Sequence, residues 1–174
     1  MKTIFLFLLV MFSSVIHCAA QQTCQLDLKN APSFFNLKLG MTEAEVRGVF
    51  GAELKFKPKK KGGERTFFQN FISKPPPVAL AGVRALYLRL FNHRIYQIEV
   101  FYENRAEWQT LAEFTRALAA NKDLSDEFWI TNSSNAEIKC VDFTLIADQI
   151  LNPRIELTDV PAAAAVLKTR LKRS

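Results

Sequence analysis

Arg84-Ala85-Leu86-Tyr87-Leu88-Arg89-Leu90-Phe91-Asn92-His93-Arg94-Ile95-Tyr96-Gln97-Ile98-Glu99-Val100-Phe101-Tyr102 is the stretch that decides the fold. Successive side chains of a strand point to opposite faces, so alternation with period two marks a half-buried strand. Leu86, Leu88 and Leu90 alternate with Tyr87 and Arg89; Tyr96, Ile98, Val100 and Tyr102 alternate with Gln97 and Glu99. Register follows from the faces. A two-residue loop would set Leu88 beside Gln97 and Leu86 beside Glu99, mixing both. A three-residue loop, Asn92-His93-Arg94, pairs Leu90 with Tyr96, Leu88 with Ile98 and Leu86 with Val100. It also sets Arg89 beside Gln97 and Tyr87 beside Glu99. One face is then apolar and the other mostly polar, as a sheet covered on one side requires.

On the N-terminal side, Thr42 and Glu45 form a capping box for a helix that ends at Gly51, with Met41 and Val46 placed as a hydrophobic staple. Val46, Val49 and Phe50 are its expected buried stripe. Residues 53–57 and 65–72 are strand-like around the basic turn Pro58 to Gly63, and Pro75-Pro76-Pro77 breaks the chain. On the C-terminal side, a helix is expected over about 105–120, capped by Asn104, with Trp108, Leu111, Phe114 and Leu118 inward. A strand begins at Phe128-Trp129-Ile130. Residues 137–147 alternate with Val141, Phe143 and Leu145 on one side, and a short strand spans 154–158. Asp159 caps a last helix with Pro161 in its first turn and Val160, Ala164, Leu167 and Leu171 as its apolar stripe. The order lacks strict βαβ alternation. The fold class expected is α+β, a mainly antiparallel sheet with helices packed on one face, arranged as two helix-then-strands units.

Residues 1–20 read as a secretory signal peptide: Lys2, the apolar run Ile4 to Phe12, and small residues at Cys18-Ala19-Ala20. Residues 21–174 form a single domain. A lipid anchor through Cys18 is disfavoured because His17 precedes it, and the apolar run is shorter than the roughly 20 residues of a spanning helix. Loss of Lys2 lowers the formal +6 charge by one. That modest excess lacks the concentration of a nucleic-acid binder. The clusters Lys57, Lys59, Lys60, Lys61 and Lys168, Arg170, Lys172, Arg173 allow weak contact with an anionic membrane surface, but a charged loop and a solubilising tail are the preferred reading. Cys24 and Cys140 remain after cleavage, and in an oxidising compartment they are expected to pair as a disulfide.

Leu39-Gly40-Met41-Thr42-Glu43-Ala44-Glu45-Val46, closing at Phe50-Gly51, resembles the "GMT" helix start of exported bacterial domains. These include the SmpA/OmlA-type lipoproteins of outer-membrane assembly and the β-lactamase-inhibitor-like proteins. The resemblance covers about a dozen residues. It implies a small α/β unit engaged in protein–protein contact, and no functional residue is carried over from it.

No catalytic, cofactor or metal motif stands out. His93, the one histidine beyond the leader, sits at the hairpin tip. The acidic pairs Glu43 with Glu45, and Asp123 with Asp126-Glu127, suit helix ends and solvent. Asn132-Ser133-Ser134 is a glycosylation acceptor pattern, relevant only in a eukaryotic secretory route. The function expected is an exported, non-catalytic protein-binding module. Its partner would be another envelope or extracellular protein, met through Tyr87, Arg89, Gln97 and Glu99 with Asn92, His93 and Arg94 at the tip. The alternatives are a small envelope hydrolase using carboxylates and a lipid-anchored structural protein.

Overall fold

The long hairpin organises everything else. The computed structural model describes residues 24–51, 57–58, 63–72, 76, 80–103, 108–122, 124, 128–148 and 153–172. Strand β3 (Val83–Phe91) pairs with β4 (Arg94–Tyr102) in the expected antiparallel register: Leu88 faces Ile98, Leu86 faces Val100, Arg89 faces Gln97 and Tyr87 faces Glu99. The turn differs. Phe91 pairs with Arg94 and Leu90 with Ile95, so the loop has two residues, not three. Asn92 and His93 take φ of 48° and 62°, the left-handed pair of a tight hairpin turn. The odd residue is absorbed by a bulge opposite Arg89 and Leu90, at Tyr96. Face alternation fixes parity, and a bulge supplies it as well as a longer loop does.

Around this hairpin lie α1 (Glu43–Phe50), β1 (Lys57–Pro58), β2 (Glu64–Asn70), α2 (Leu111–Lys122), β5 (Ile130–Thr131), β6 (Asn135–Lys139), β7 (Phe143–Asp148), β8 (Arg154–Asp159) and α3 (Val160–Leu171). The strands form one sheet in the order β1-β2-β3-β4-β8-β7-β6-β5, antiparallel throughout. The class is the α+β one expected. Among the described residues its outermost strands are β1 and β5.

One face is the core. Phe67, Leu86, Leu88, Leu90, Ile98, Val100, Ile155, Leu157, Phe143, Leu145 and Ile138 are all buried on it. Helix α1 buries Val46, whereas Val49 and Phe50 of its expected stripe are only half-buried. Its predicted capping box is present: Thr42 accepts from the Glu45 N–H and Glu45 accepts from the Thr42 N–H. Gly51 ends the helix at φ 88°. Glu43 is paired with Arg47 at 2.8 Å and with Arg65 on β2, fastening α1 to the sheet. Helix α2 covers the β6–β7 side with Phe114 and Leu118, while Trp108 packs edge-on against Tyr102. It starts later than expected. Thr110 and Glu113 form its capping box, whereas Asn104 and Glu107 lie outside the described residues.

Two further expectations are corrected. Residues 137–147 are not one strand: Cys140 to Asp142 turn the chain, with the Cys140 N–H donating to the Phe143 carbonyl. Val141 is therefore 59 % exposed and does not join Phe143 and Leu145. In α3, Asp159 caps as expected, accepting from the Ala162 N–H at 2.8 Å. The buried residue, however, is Val166, while Val160, Ala164, Leu167 and Leu171 are exposed. The reason is where the helix goes. Arg170 reaches Glu64, which pairs with Phe91 and points away from the Leu88 side. Helix α3 therefore rests on the face opposite α1 and α2, near the hairpin turn.

Cys24 and Cys140 lie at bonding distance with Cα atoms 4.5 Å apart, as a disulfide requires. Residues 1–23, with the leader and Cys18, are outside the described residues, as are 53–56, Lys59 to Lys61, Pro75, Pro77, Asp123, Asp126, Glu127 and Arg173. Among the described residues no helix is long and apolar enough to cross a membrane.

Candidate interaction face

Helix α3 covers only the turn end of the second sheet face. Below it the pairing sets three rows across the strands. Thr66, Arg89, Gln97, Thr158 and Thr144 form the first. Phe68, Tyr87, Glu99, Glu156, Ile146 and Glu137 form the second. Asn70, Ala85, Phe101, Arg154, Asp148 and Asn135 form the third. The expected contact residues Tyr87, Arg89, Gln97 and Glu99 thus stand together on one face.

This face is more organised than a merely wetted one. Phe68 stacks on Tyr87 with ring centroids 4.1 Å apart, and Phe101 meets Tyr87 edge-on at 5.6 Å. Three adjacent strands therefore contribute one aromatic patch, with Phe68 40 % exposed. Beside it lies a charged ladder. Arg89 pairs with Glu99 at 3.2 Å. Glu156 accepts from the Gln97 amide at 2.6 Å and is approached by Arg154 at 3.7 Å. Arg154 also bonds Asp148 at 2.7 Å and sits over the Phe101 ring, 5.9 Å from its centroid.

Glu99 and Glu156 are direct cross-strand partners. Like charges placed so oppose the pairing. Glu99 is buried, and its carboxyl is held above the usual carboxylate range, first by burial and then by the Glu156 charge, against the pull of Arg89 and Arg154. Among the described residues the buried Arg89 Nε has no hydrogen-bond partner. One raised carboxyl next to a second, partly exposed one is also the raw material of acid–base chemistry. Among the described residues no group of three or more His, Cys, Asp and Glu side chains could hold a metal ion.

The tip residues belong elsewhere. Asn92 and His93 are exposed in the turn, and Arg94 donates to the Gly40 carbonyl at 2.8 Å. Asn92 and Arg94 border a cleft of about 530 Å³ on the far side of α3, floored by Leu28, Phe91, Ile95 and Pro161, with Asp159 at its wall. Burial raises the Asp159 carboxyl there. Helix α3 separates this cleft from the aromatic face, so the seven expected residues form two groups.

Phe68, Phe101, Arg154 and Glu156 escaped sequence reading. Phe68 alternates within β2, but its neighbour Tyr87 follows only from the β2–β3 pairing. Arg154 and Glu156 join the face through β4–β8, strands more than fifty residues apart whose adjacency no local pattern announces. No protein-family model, curated protein or solved structure matches this chain.

Proposed function

We propose that the chain is an exported, non-catalytic protein-binding module that works through its open sheet face. The observation that carries this is the Phe68–Tyr87–Phe101 patch rimmed by Arg89 and Arg154. Aromatic residues and arginine are the types enriched where proteins meet, because they bury large area while fixing orientation. The leader-like residues 1–20 and the Cys24–Cys140 pair support an oxidising, exported setting. The GMT-like start at 39–51 points the same way. The test is crosslinking capture from the native envelope with the tagged protein. A stoichiometric partner retained by wild type and lost in Tyr87→Ser and Arg154→Glu supports the reading; a partner indifferent to both changes refutes it.

The Glu99–Glu156 pair favours one second reading, an envelope hydrolase using carboxylates. Turnover of an envelope polysaccharide abolished by either Glu99→Gln or Glu156→Gln would support it. Equal turnover in all three proteins would remove it.

A further inference from the structure

The open face and the exposed flank of α3 are two walls of one groove. Helix α3 starts where β8 ends, and its Arg170 reaches Glu64 on β2. It must therefore cross β4 and β3, which lie between them in the sheet. The lengths agree: twelve helical residues rise about 18 Å, and three strand spacings measure about 14 Å. Pro161 and Ala162 look into the cleft at the hairpin turn. At about 100° per residue, Val160 and Leu167 fall on the opposite flank, towards Arg89 and Tyr87.

That flank has a pattern. Val160, Ala164, Leu167 and Leu171 repeat with the 4-3-4 spacing of the apolar seam between two packed helices. Val160 is 39 % exposed, Leu167 58 % and Leu171 67 %. There is also room for a second helix. Tyr87 lies four residues along β3 from Phe91, about 13 Å from the row beneath α3. Packed helices sit about 8–10 Å apart. A helix laid beside α3 would rest above the rows of Arg89 and Tyr87.

We infer that the helix filling this groove is α3 of a second copy of this chain. The inference rests on the open-face reading and names its partner. A twofold axis parallel to the two helices sets the same seam against itself, the isologous arrangement of most homodimers. It also turns the outward side of the second α3, which carries Lys168, down onto the first sheet. There Lys168 meets the Tyr87–Glu99 pair, a ring and a carboxylate in the row that holds two adjoining glutamates. Seam meets seam and cation meets acidic row, so one surface supplies both halves of the fit.

Analytical ultracentrifugation of the purified protein, with the Cys24–Cys140 bond intact, tests this. The expected result is a reversible dimer at micromolar concentration. Leu167→Glu should weaken it by about tenfold or more, the effect of losing one buried leucine. Ala120→Glu, on the exposed side of α2, should leave it unchanged. Leu167 is largely exposed in the single chain, so the variant should keep the wild-type circular dichroism spectrum; Tyr87→Ser probes the same contact from the floor. Leu167→Cys should link to its own copy on oxidation, and Ala120→Cys should not. A protein that stays monomeric into the millimolar range overturns the inference. So does a dimer insensitive to both Leu167→Glu and Tyr87→Ser, or a monomer whose Leu167 instead drives binding to anionic vesicles. A monomer that still captures a different protein through Tyr87 overturns self-association alone and leaves the open-face reading standing.

Discussion

Replacing Glu64 by alanine should loosen α3 from the sheet and destabilise the domain by about 2–3 kcal/mol. The Glu64 side chain is only 8 % exposed. It accepts from the Tyr96 hydroxyl at 2.9 Å, the Arg170 Nε at 3.0 Å and the Arg170 Nη2 at 2.7 Å. The tyrosine bond is buried and has a charged acceptor, which is worth about 1.5–2 kcal/mol. The Arg170 pair is half in water, so its geometry counts for only about 0.5–1 kcal/mol. Arg170→Ala alone should therefore cost about 1 kcal/mol, and the Glu64→Ala/Arg170→Ala cycle should show coupling of similar size. The domain should melt roughly 5–10 °C lower without Glu64. Burial and the neighbouring Glu64 also push the Tyr96 hydroxyl up to about 12 from its usual 10. A raised phenol contributes stability that is complete below pH 10 and is lost as pH rises towards 12. That loss should be shallower in Tyr96→Phe. Urea midpoints and thermal melts measure all of these. A Glu64→Ala change within about 0.5 kcal/mol of wild type, the range of an ordinary surface substitution, would refute the placement of α3 on this face.

Removing the Cys24–Cys140 link, which closes a loop of sequence separation 116, should lower stability by about 2–4 kcal/mol, read as a drop in urea midpoint on reduction or in the double serine variant. Glu99→Gln should raise the melting temperature at neutral pH, since burial and Glu156 oppose its charge. The gain should fade as pH falls below the ordinary carboxyl value of 4.5, where the wild-type group is protonated folded or unfolded; a gain that persists in acid would count against the cause given. His93→Gly should stabilise by up to about 1 kcal/mol, because it removes a side chain held at φ 62° and leaves an Asn-Gly turn. Equal melts for the two proteins would mean that the turn carries no strain.

Much of the core was legible because its signals are local. Alternation along 84–102 fixed the body of the hairpin, and Thr42 with Glu45 fixed the start of α1. The failures share a cause as well. The bulge at Tyr96 and a longer loop satisfy the same parity, so only geometry separates them. The Thr110-x-x-Glu113 box starts α2, although Asn104 with Glu107 has the same spacing. Helix α3 misled most. Its regular apolar spacing marks an apolar side, but periodicity does not say which surface that side meets. The side actually held is set by Val166 and by the long-range bond from Arg170 to Glu64. The candidate face divides in the same way. Tyr87, Arg89, Gln97 and Glu99 come from one hairpin and could be placed together, whereas Phe68, Arg154 and Glu156 arrive through strand neighbours remote in sequence.

The composition of that face bears on what it is for. A sheet face left to solvent needs only well-hydrated side chains, and exposed positions tolerate most of them with little change in stability. Here the chain instead keeps Glu99 buried against Glu156, leaves the Arg89 Nε without a partner among the described residues, and holds Phe68 stacked in the open. The first two lower the stability of the isolated domain relative to a plain threonine or lysine ladder, and the third leaves apolar ring surface in water. All three fall within one patch bounded by the exposed flank of α3. A second surface laid on that patch would bury Phe68 and Leu167 together. It would also bring donors within reach of two crowded carboxylates, so the features that burden the single chain become favourable in a complex. Scattered defects would offer no such common remedy, and their coincidence is what favours contact over simple solvation.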